Sequence, residues 1–254
     1  MILAIDIGNT NIVIGCCDDE EIYFVERLST DPGKTELEYA ISFKNVLELY
    51  HIDPKDIDGG IISSVVPPVT NIVRSSAEKV LGKSVKIVGP GVRTGLNILM
   101  DNPAQLGSDR VVNAVAAINE YPVPLIIIDM GTATTFCVID QKKNYVGGAI
   151  LPGVRVSLDA LAARASQLSK ISIEAPKKTI GKNTIDCMKS GIIHGNAACI
   201  DGMITRIEKE LGEKATVLAT GGLSKKIVPY CEEKIIIDDE LLLKGLRLIY
   251  NKNK

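Results

Sequence analysis

Met1-Ile-Leu-Ala-Ile-Asp-Ile-Gly-Asn-Thr-Asn-Ile-Val-Ile-Gly15 opens the chain, and a stretch of the same design, Leu125-Ile-Ile-Ile-Asp-Met-Gly-Thr-Ala-Thr-Thr-Phe-Cys-Val-Ile139, stands about half of the 254-residue length further on. In each, an apolar run leads to an aspartate, then to a turn holding Gly and Thr, then to a second apolar run. Met1 to Ile5 reads as a strand, Asp6 to Asn11 as a tight polar turn and Ile12 to Cys17 as the return strand, which together make a β-hairpin. Leu125 to Ile128 and Thr134 to Ile139 repeat it around Asp129, Gly131 and Thr132. A repeat at half the chain length divides the protein into two α/β lobes, 1–118 and 119–254, each close to the size of a small domain.

Outward from these hairpins, strand and helix patterns alternate to both ends of the chain. Thr35 to Tyr50 carries Leu37, Ala40, Ile41, Val46, Leu47 and Leu49 at helical spacing behind a threonine able to cap. Gly60 to Val66 reads as a buried strand closed by Pro67 and Pro68, and Val69 to Leu81 as a helix. After a short strand at Val85 to Val88, a long loop rich in Gly, Pro and Asn ends at Gly107; loops of that length usually serve function. Ser108 to Ile118 is helical, with Ser108 or Asp109 available as cap. In the second half, Val146 to Ile150 and Thr216 to Ala219 read as strands. Val156 to Gln167, Thr184 to Leu211 and Leu241 to Tyr250 read as helices. Gly191, Gly195 and Gly202 interrupt the long helix at up to about 1 kcal/mol each relative to alanine, so close packing against a lobe or another subunit is expected there.

Composition narrows the class. The chain is 46% hydrophobic and 24% charged, with a net charge of -2. That balance builds a buried core and offers no broad cationic field for nucleic acid. The apolar runs are far shorter than the roughly 20 residues that span a bilayer, and Met1 to Asp6 resembles a first strand rather than a leader peptide, so the expected location is cytoplasmic. The six cysteines lack metal-ligand spacing and read as reduced thiols, and the two histidines, His51 and His194, lie far apart. Neither a histidine metal site nor a Ser-His-Asp triad is well supplied.

The chemistry therefore concentrates in the hairpin turns. Asp6-Ile7-Gly8-Asn9-Thr10 joins a carboxylate to a glycine-permitted backbone and hydrogen-bonding side chains, a combination that suits Mg²⁺ and phosphate oxygens. Asp, Asn and Gly also dominate turns for conformational reasons alone. The second copy at Asp129 shifts the balance, because a metal, a phosphate cradle and alignment are what phosphoryl transfer needs.

The arrangement resembles the actin, hexokinase and Hsp70 superfamily, whose two related ribonuclease H-like lobes hold ATP in a cleft between them. Within it, Asp6-Ile-Gly-Asn-Thr10, Gly107-Ser-Asp-Arg110, Asp129-Met-Gly-Thr-Ala-Thr-Thr135 and Gly147-Gly-Ala-Ile-Leu-Pro-Gly153 resemble the motifs of type III pantothenate kinase, in the same order over most of the chain. The resemblance implies phosphorylation of pantothenate by ATP to 4'-phosphopantothenate, at the start of coenzyme A synthesis. It implies Asp109 as the base that takes the hydroxyl proton. It places Asp6, Ile7, Gly8, Asn9, Thr10, Asn11, Ile12, Val13 and Thr132 around ATP, and Met100, Gly107, Ser108, Asp109, Arg110 and Thr184 around pantothenate. Asp129 would bind a monovalent cation, K⁺ or NH₄⁺, and Asp6 would hold Mg²⁺ through water. A homodimer is implied too, while neither nucleic acid nor membrane is an expected partner.

Each assignment has a plainer counterpart. Asp109 would also suit a helix N-terminus, which favours carboxylates. Arg110 would serve a surface ion pair, and Thr184 a simple cap. The glycines of Gly147 to Gly153 fit close approach to a substrate or to a neighbouring strand. Met100 stands where relatives usually carry tyrosine ahead of Asp-Asn-Pro, keeping bulk and losing a hydroxyl.

Overall fold

The computed structural model describes all 254 residues. The chain divides into two compact units, one made of Met1–Leu96, Asn102–Ala116 and Glu240–Lys254, the other of Asn97–Asp101 and Ala117–Asp239. The division falls inside a helix, and the last fifteen residues return to the first unit.

The first unit is built on β1 (Ile2–Ile7), β2 (Asn11–Cys17), β3 (Ile22–Ser29), β4 (Gly60–Ser64) and β5 (Val85–Ile87), in the order β3-β2-β1-β4-β5. β1, β2 and β3 form an antiparallel meander, and β4 and β5 add in parallel. Alternation along β1 sends Leu3, Ile5 and Ile7 to one face, where they pack on Tyr39, Phe43 and Leu47 of α1 (Glu36–Leu49) and on Val69, Val73 and Ala77 of α2 (Pro67–Leu81). Ile2 and Ala4 point to the other face, against Val112 and Val115 of α3 (Ser108–Glu120) and Leu243, Leu246 and Ile249 of α7 (Leu241–Lys252). A sheet buried on both faces explains the unbroken apolar run at Ile2 to Ile5. Each buried Ile or Leu of the run contributes about 1.5–3 kcal/mol through burial.

The second unit repeats the plan with β7 (Leu125–Met130), β8 (Ala133–Ile139), β9 (Asn144–Pro152), β10 (Thr216–Thr220) and β11 (Ile236–Ile237), in the order β11-β10-β7-β8-β9, and β6 (Asn97–Ile98) pairs with the outer edge of β9. Ile126, Ile128 and Met130 pack with Phe136 on Val154 and Leu158 of α4 (Val154–Arg164) and on Ile192, Ile193, Ile200 and Ile204 of α5 (Thr184–Leu211). A single helical turn, α6 (Ser224–Ile227), follows β10.

Several elements differ from the sequence reading for identifiable reasons. β3 is absent from it: Ile22–Ser29 alternates, but only Phe24 of the strand is buried, so the apolar signal is thin. Asp6 lies within β1 rather than in the turn, because it pairs with Val13 on one side and Ser63 on the other. Pro67 opens α2 instead of closing β4, using the first helical turn, where a missing N–H costs nothing. Of the glycines of α5, Gly191 and Gly195 would meet nothing with an added Cβ, and Gly202 only its own neighbour Arg206. Within the chain, no neighbour packs on them.

Candidate active site

In the first unit the β1–β2 turn spans Gly8 to Thr10. Gly8 N–H donates to Asn11 O at 3.0 Å, while Thr30, just past β3, clamps the tip with its N–H on Thr10 O at 3.0 Å and its hydroxyl on Gly8 O at 2.6 Å. Asn9, Thr10 and Asn11 are exposed, whereas Ile7 and Ile12 are sealed in the core. Those two can therefore offer a ligand only their backbone. Asp6 is on the α3/α7 face of the sheet, in register with Val13 and Ser63, and its Oδ1 is shut off from solvent.

Gly107 to Arg110 belong to the same unit, at the start of α3. Val111 N–H donates to Gly107 O at 3.2 Å, so the residue just ahead of α3 accepts the first helical bond. Asp109 lies inside the first turn, and its buried Oδ1 has no hydrogen-bond partner. Such an atom normally costs about 1–3 kcal/mol, which makes it a candidate for contact with a ligand rather than a cap. A Cβ on Gly107 would collide with this same Oδ1, so glycine is what lets the carboxylate fold back over the chain. Arg110 is half-buried and takes part in no ion pair, leaving its guanidinium fork for an anionic or polar ligand.

Asp129, Thr132, Met100 and Thr184 belong to the second unit. Its turn is shorter, with Gly131 N–H on Ala133 O at 3.0 Å, and Thr132 exposed at the tip. Asp129 lies in register with Thr135 on β8 and with Thr220 on β10. The Thr135 hydroxyl is buried without a hydrogen-bond partner. A Cβ at Gly221 would lie 2.6 Å from Asp129 Oδ1, on a backbone with φ of +91° that glycine adopts freely. A carboxylate, an unpaired hydroxyl oxygen and a cradle kept open by glycine form a donor set of hard oxygens, which fits a monovalent cation. The sequence reading missed Thr135 and Thr220 as neighbours of Asp129, although Thr135 ends the Asp129 motif and Thr220 directly follows the expected strand Thr216 to Ala219; strand register supplies the missing link.

The glycine motif at Gly147 to Gly153 resolves toward backbone packing. A Cβ on Gly148 would run into the Phe136 carbonyl of β8, and one on Gly153 into the carbonyls of Thr132 and Gly131. Gly153 N–H also donates to Thr132 O at 3.0 Å, holding the turn. Thr184 is not the cap of α5. That position is Asn183, whose Oδ1 accepts from Asp186 N–H at 2.9 Å while its Nδ2 donates to Asp186 Oδ2 at 2.8 Å, so the Thr184 side chain stays exposed. Met100 is half-buried just beyond β6. No helix is long and apolar enough to cross a membrane.

Two units of one plan, each with an acidic hairpin turn, define an actin-like fold. Two solved structures share the fold. Component A of the (R)-2-hydroxyglutaryl-CoA dehydratase of Acidaminococcus fermentans aligns with a TM-score of 0.60 at 17% identity, covering 98% of this chain and 96% of that one. The activator of the 2-hydroxyisocaproyl-CoA dehydratase of Clostridium difficile, with bound ADPNP, aligns at 0.56 and 14%, covering 98% and 93%. Sequence narrows the class further: the type III pantothenate kinase family model matches residues 2–206. Proteins named type III pantothenate kinase from Halalkalibacterium halodurans and from an Exiguobacterium species are 47% and 46% identical over the full length of both chains. The chain belongs to the type III pantothenate kinase family.

Proposed function

We infer that this protein transfers the γ-phosphoryl group of ATP to the primary hydroxyl of pantothenate, giving 4'-phosphopantothenate and ADP as the first step of coenzyme A synthesis, with Asp109 as proton acceptor. The observation that carries the assignment is the half-buried Asp109 in the first turn of α3, its buried Oδ1 without a hydrogen-bond partner and beside the uncommitted Arg110. The hydroxyl oxygen attacks the γ-phosphorus, the bond to the β-phosphate oxygen breaks with its electrons leaving on ADP, and the hydroxyl proton passes to Asp109 Oδ. In a loose transition state little proton transfer is needed early, so Asp109 works chiefly by orienting the hydroxyl.

Gly8 to Asn11 present backbone and side-chain donors to the phosphates, with Thr132 as a further ATP contact, and Gly107, Ser108, Arg110, Met100 and Thr184 serve pantothenate. Asp6 would hold Mg²⁺ through water, where the ion would neutralise charge developing on the phosphates, and Asp129, with Thr135, would take K⁺ or NH₄⁺. The enzyme works as a cytoplasmic homodimer, a reading supported by the exposed Gly191 and Gly195 of α5, on which nothing in the chain packs. The repeat also supports lobes at 1–118 and 119–254, with Glu240–Lys254 closing the first sheet.

The test is ADP production by the purified protein with Mg-ATP and K⁺, with and without pantothenate. Turnover that depends strongly on pantothenate is expected. Equal ADP release in both arms would refute the assignment.

A further inference from the structure

Ser108 opens α3, yet its hydroxyl does not cap the helix. It lies on β4, accepting from Ser64 N–H at 2.9 Å and donating to Ser64 O at 3.0 Å. The sheet explains this use. Val65 N–H bonds to Ile7 of β1, so the backbone groups of Ser64 face the opposite side, toward β5. There the ladder stops at Ile62 and Ile87, closed by Val88 N–H on Ile62 O. Ser64 would be left with an unpaired donor and acceptor, and one hydroxyl, both donor and acceptor, takes the place of the next strand residue.

The Ser108 hydroxyl has a single proton, given to Ser64 O. Its remaining contact, Ser63 Oγ at 3.0 Å, is then made with Ser63 as donor. Ser63 is fully buried and sits in register with Asp6, on the face covered by α3 and α7. A row of polar side chains thus runs from Asp6 through Ser63 to Ser108, the residue next to Asp109. The buried Oδ1 of Asp109 itself has no hydrogen-bond partner to fix it.

We propose that Ser63 and Ser108 are positioning residues for phosphoryl transfer, pinning the first turn of α3 to the end of β4 so that the Asp109 carboxylate is held at a set place relative to Asp6. The proposal rests on the reading of Asp109 as proton acceptor. Ser63 and Ser108 touch no reacting atom in this role; they fix the backbone that carries the one that does.

The experiment is steady-state kinetics on the full chain for Ser63→Ala, Ser108→Ala, Ser108→Thr, Asp109→Asn and the Ser63→Ala/Asp109→Asn pair, with Tm measured for each. Ser63→Ala is expected to lower kcat about tenfold, as a small misplacement of a reacting group does. KM for pantothenate and for ATP should stay within about twofold, the signature of an interaction felt only in the transition state. Ser108→Thr, which keeps the hydroxyl, should recover most of the rate lost in Ser108→Ala. In the Asp109→Asn background Ser63→Ala should cost less than about twofold, because the two act through one group. Unchanged kcat in Ser63→Ala, an undiminished loss in the double variant, or no rescue by threonine would each overturn the proposal. A fully active Asp109→Asn enzyme would instead overturn the proton-acceptor reading.

Discussion

The two hairpins are copies in plan and differ in what flanks their aspartates. Across the first sheet the row runs Val13, Asp6, Ser63; across the second it runs Thr135, Asp129, Thr220. Both acids lie on the face opposite the helix pair that covers each sheet, α1 and α2 in the first unit and α4 and α5 in the second. Around Asp6 one neighbour is apolar and the other hydroxyl leads away to Ser108 and α3. Around Asp129 both neighbours carry hydroxyls, and Gly221 leaves room beside the carboxylate. One scaffold therefore yields an acid whose polar neighbours lead to the start of α3 in one unit and an acid flanked by two hydroxyl residues and an open glycine in the other, the contrast on which the proposed phosphate-side and cation roles rest. The difference lies in which residue the register places beside a shared design, not in the design itself.

That contrast can be broken experimentally. The largest effects are expected at the acids. Asp109→Asn should fold, retain ATP binding and lose kcat by a factor on the order of 10². Asp129→Ala should lose activation by K⁺ and also lose the rise in Tm that K⁺ gives the parent through binding linkage. K⁺ responses that survive in Asp129→Ala would move the cation to another site.

Next comes the space beside Asp129. Gly221→Ala puts a methyl 2.6 Å from Asp129 Oδ1 and 2.7 Å from Met130 N at a positive φ, and should cost about 1–3 kcal/mol of stability by denaturant titration. Gly8→Ala, whose new methyl meets only Asn11 O at 3.1 Å, should cost less. Equal losses would mean that the two turns are under equal constraint.

Thr135→Val rewrites the second row toward the first. Loss of one oxygen near a charged group is worth about 1.5 kcal/mol, so half-saturation by K⁺ should rise about tenfold in a thermal-shift titration, with stability otherwise near the parent's. An unchanged K⁺ titration would remove Thr135 from the site.

The smallest effect concerns the thiols that line the first sheet. Burial pushes Cys16 up to about 12 and Cys17 up to about 11, and Cys231 in the second unit likewise up to about 12. Raised values keep these thiols protonated, and so unreactive, between pH 7 and 8. Only the exposed Cys187 and Cys199 should label quickly with a thiol reagent in the native protein. Rapid labelling of Cys16 or Cys17 would show that the first sheet opens more readily than its packing implies.

Much of the fold was legible from local chemistry. Runs such as Ile2 to Ile5 and Leu125 to Ile128 are apolar at every position because both faces of each sheet are covered, and the intervening Asp, Gly and Thr are readable as turns without tertiary information. α5 was readable over its full span, Thr184–Leu211, because its periodicity is long. β3 was not, since a strand with one buried side chain leaves little pattern. The cap of α5 passed to Asn183 because an adjacent asparagine and threonine both qualify by composition, and only backbone geometry chooses between them.

The sequence by itself thus determined the α/β class, the duplication, the motif acids Asp6, Asp109 and Asp129, and the family, because these depend on residue type and spacing along the chain. Tertiary structure alone decided that Glu240–Lys254 packs on the first sheet, that Gly148 and Gly153 serve backbone contacts, and that Ser63, Ser108, Thr135 and Thr220 are the neighbours of the acids. The physical reason is register: hydrogen bonding between strands distant in sequence sets which side chains share a row, and no local pattern encodes that choice.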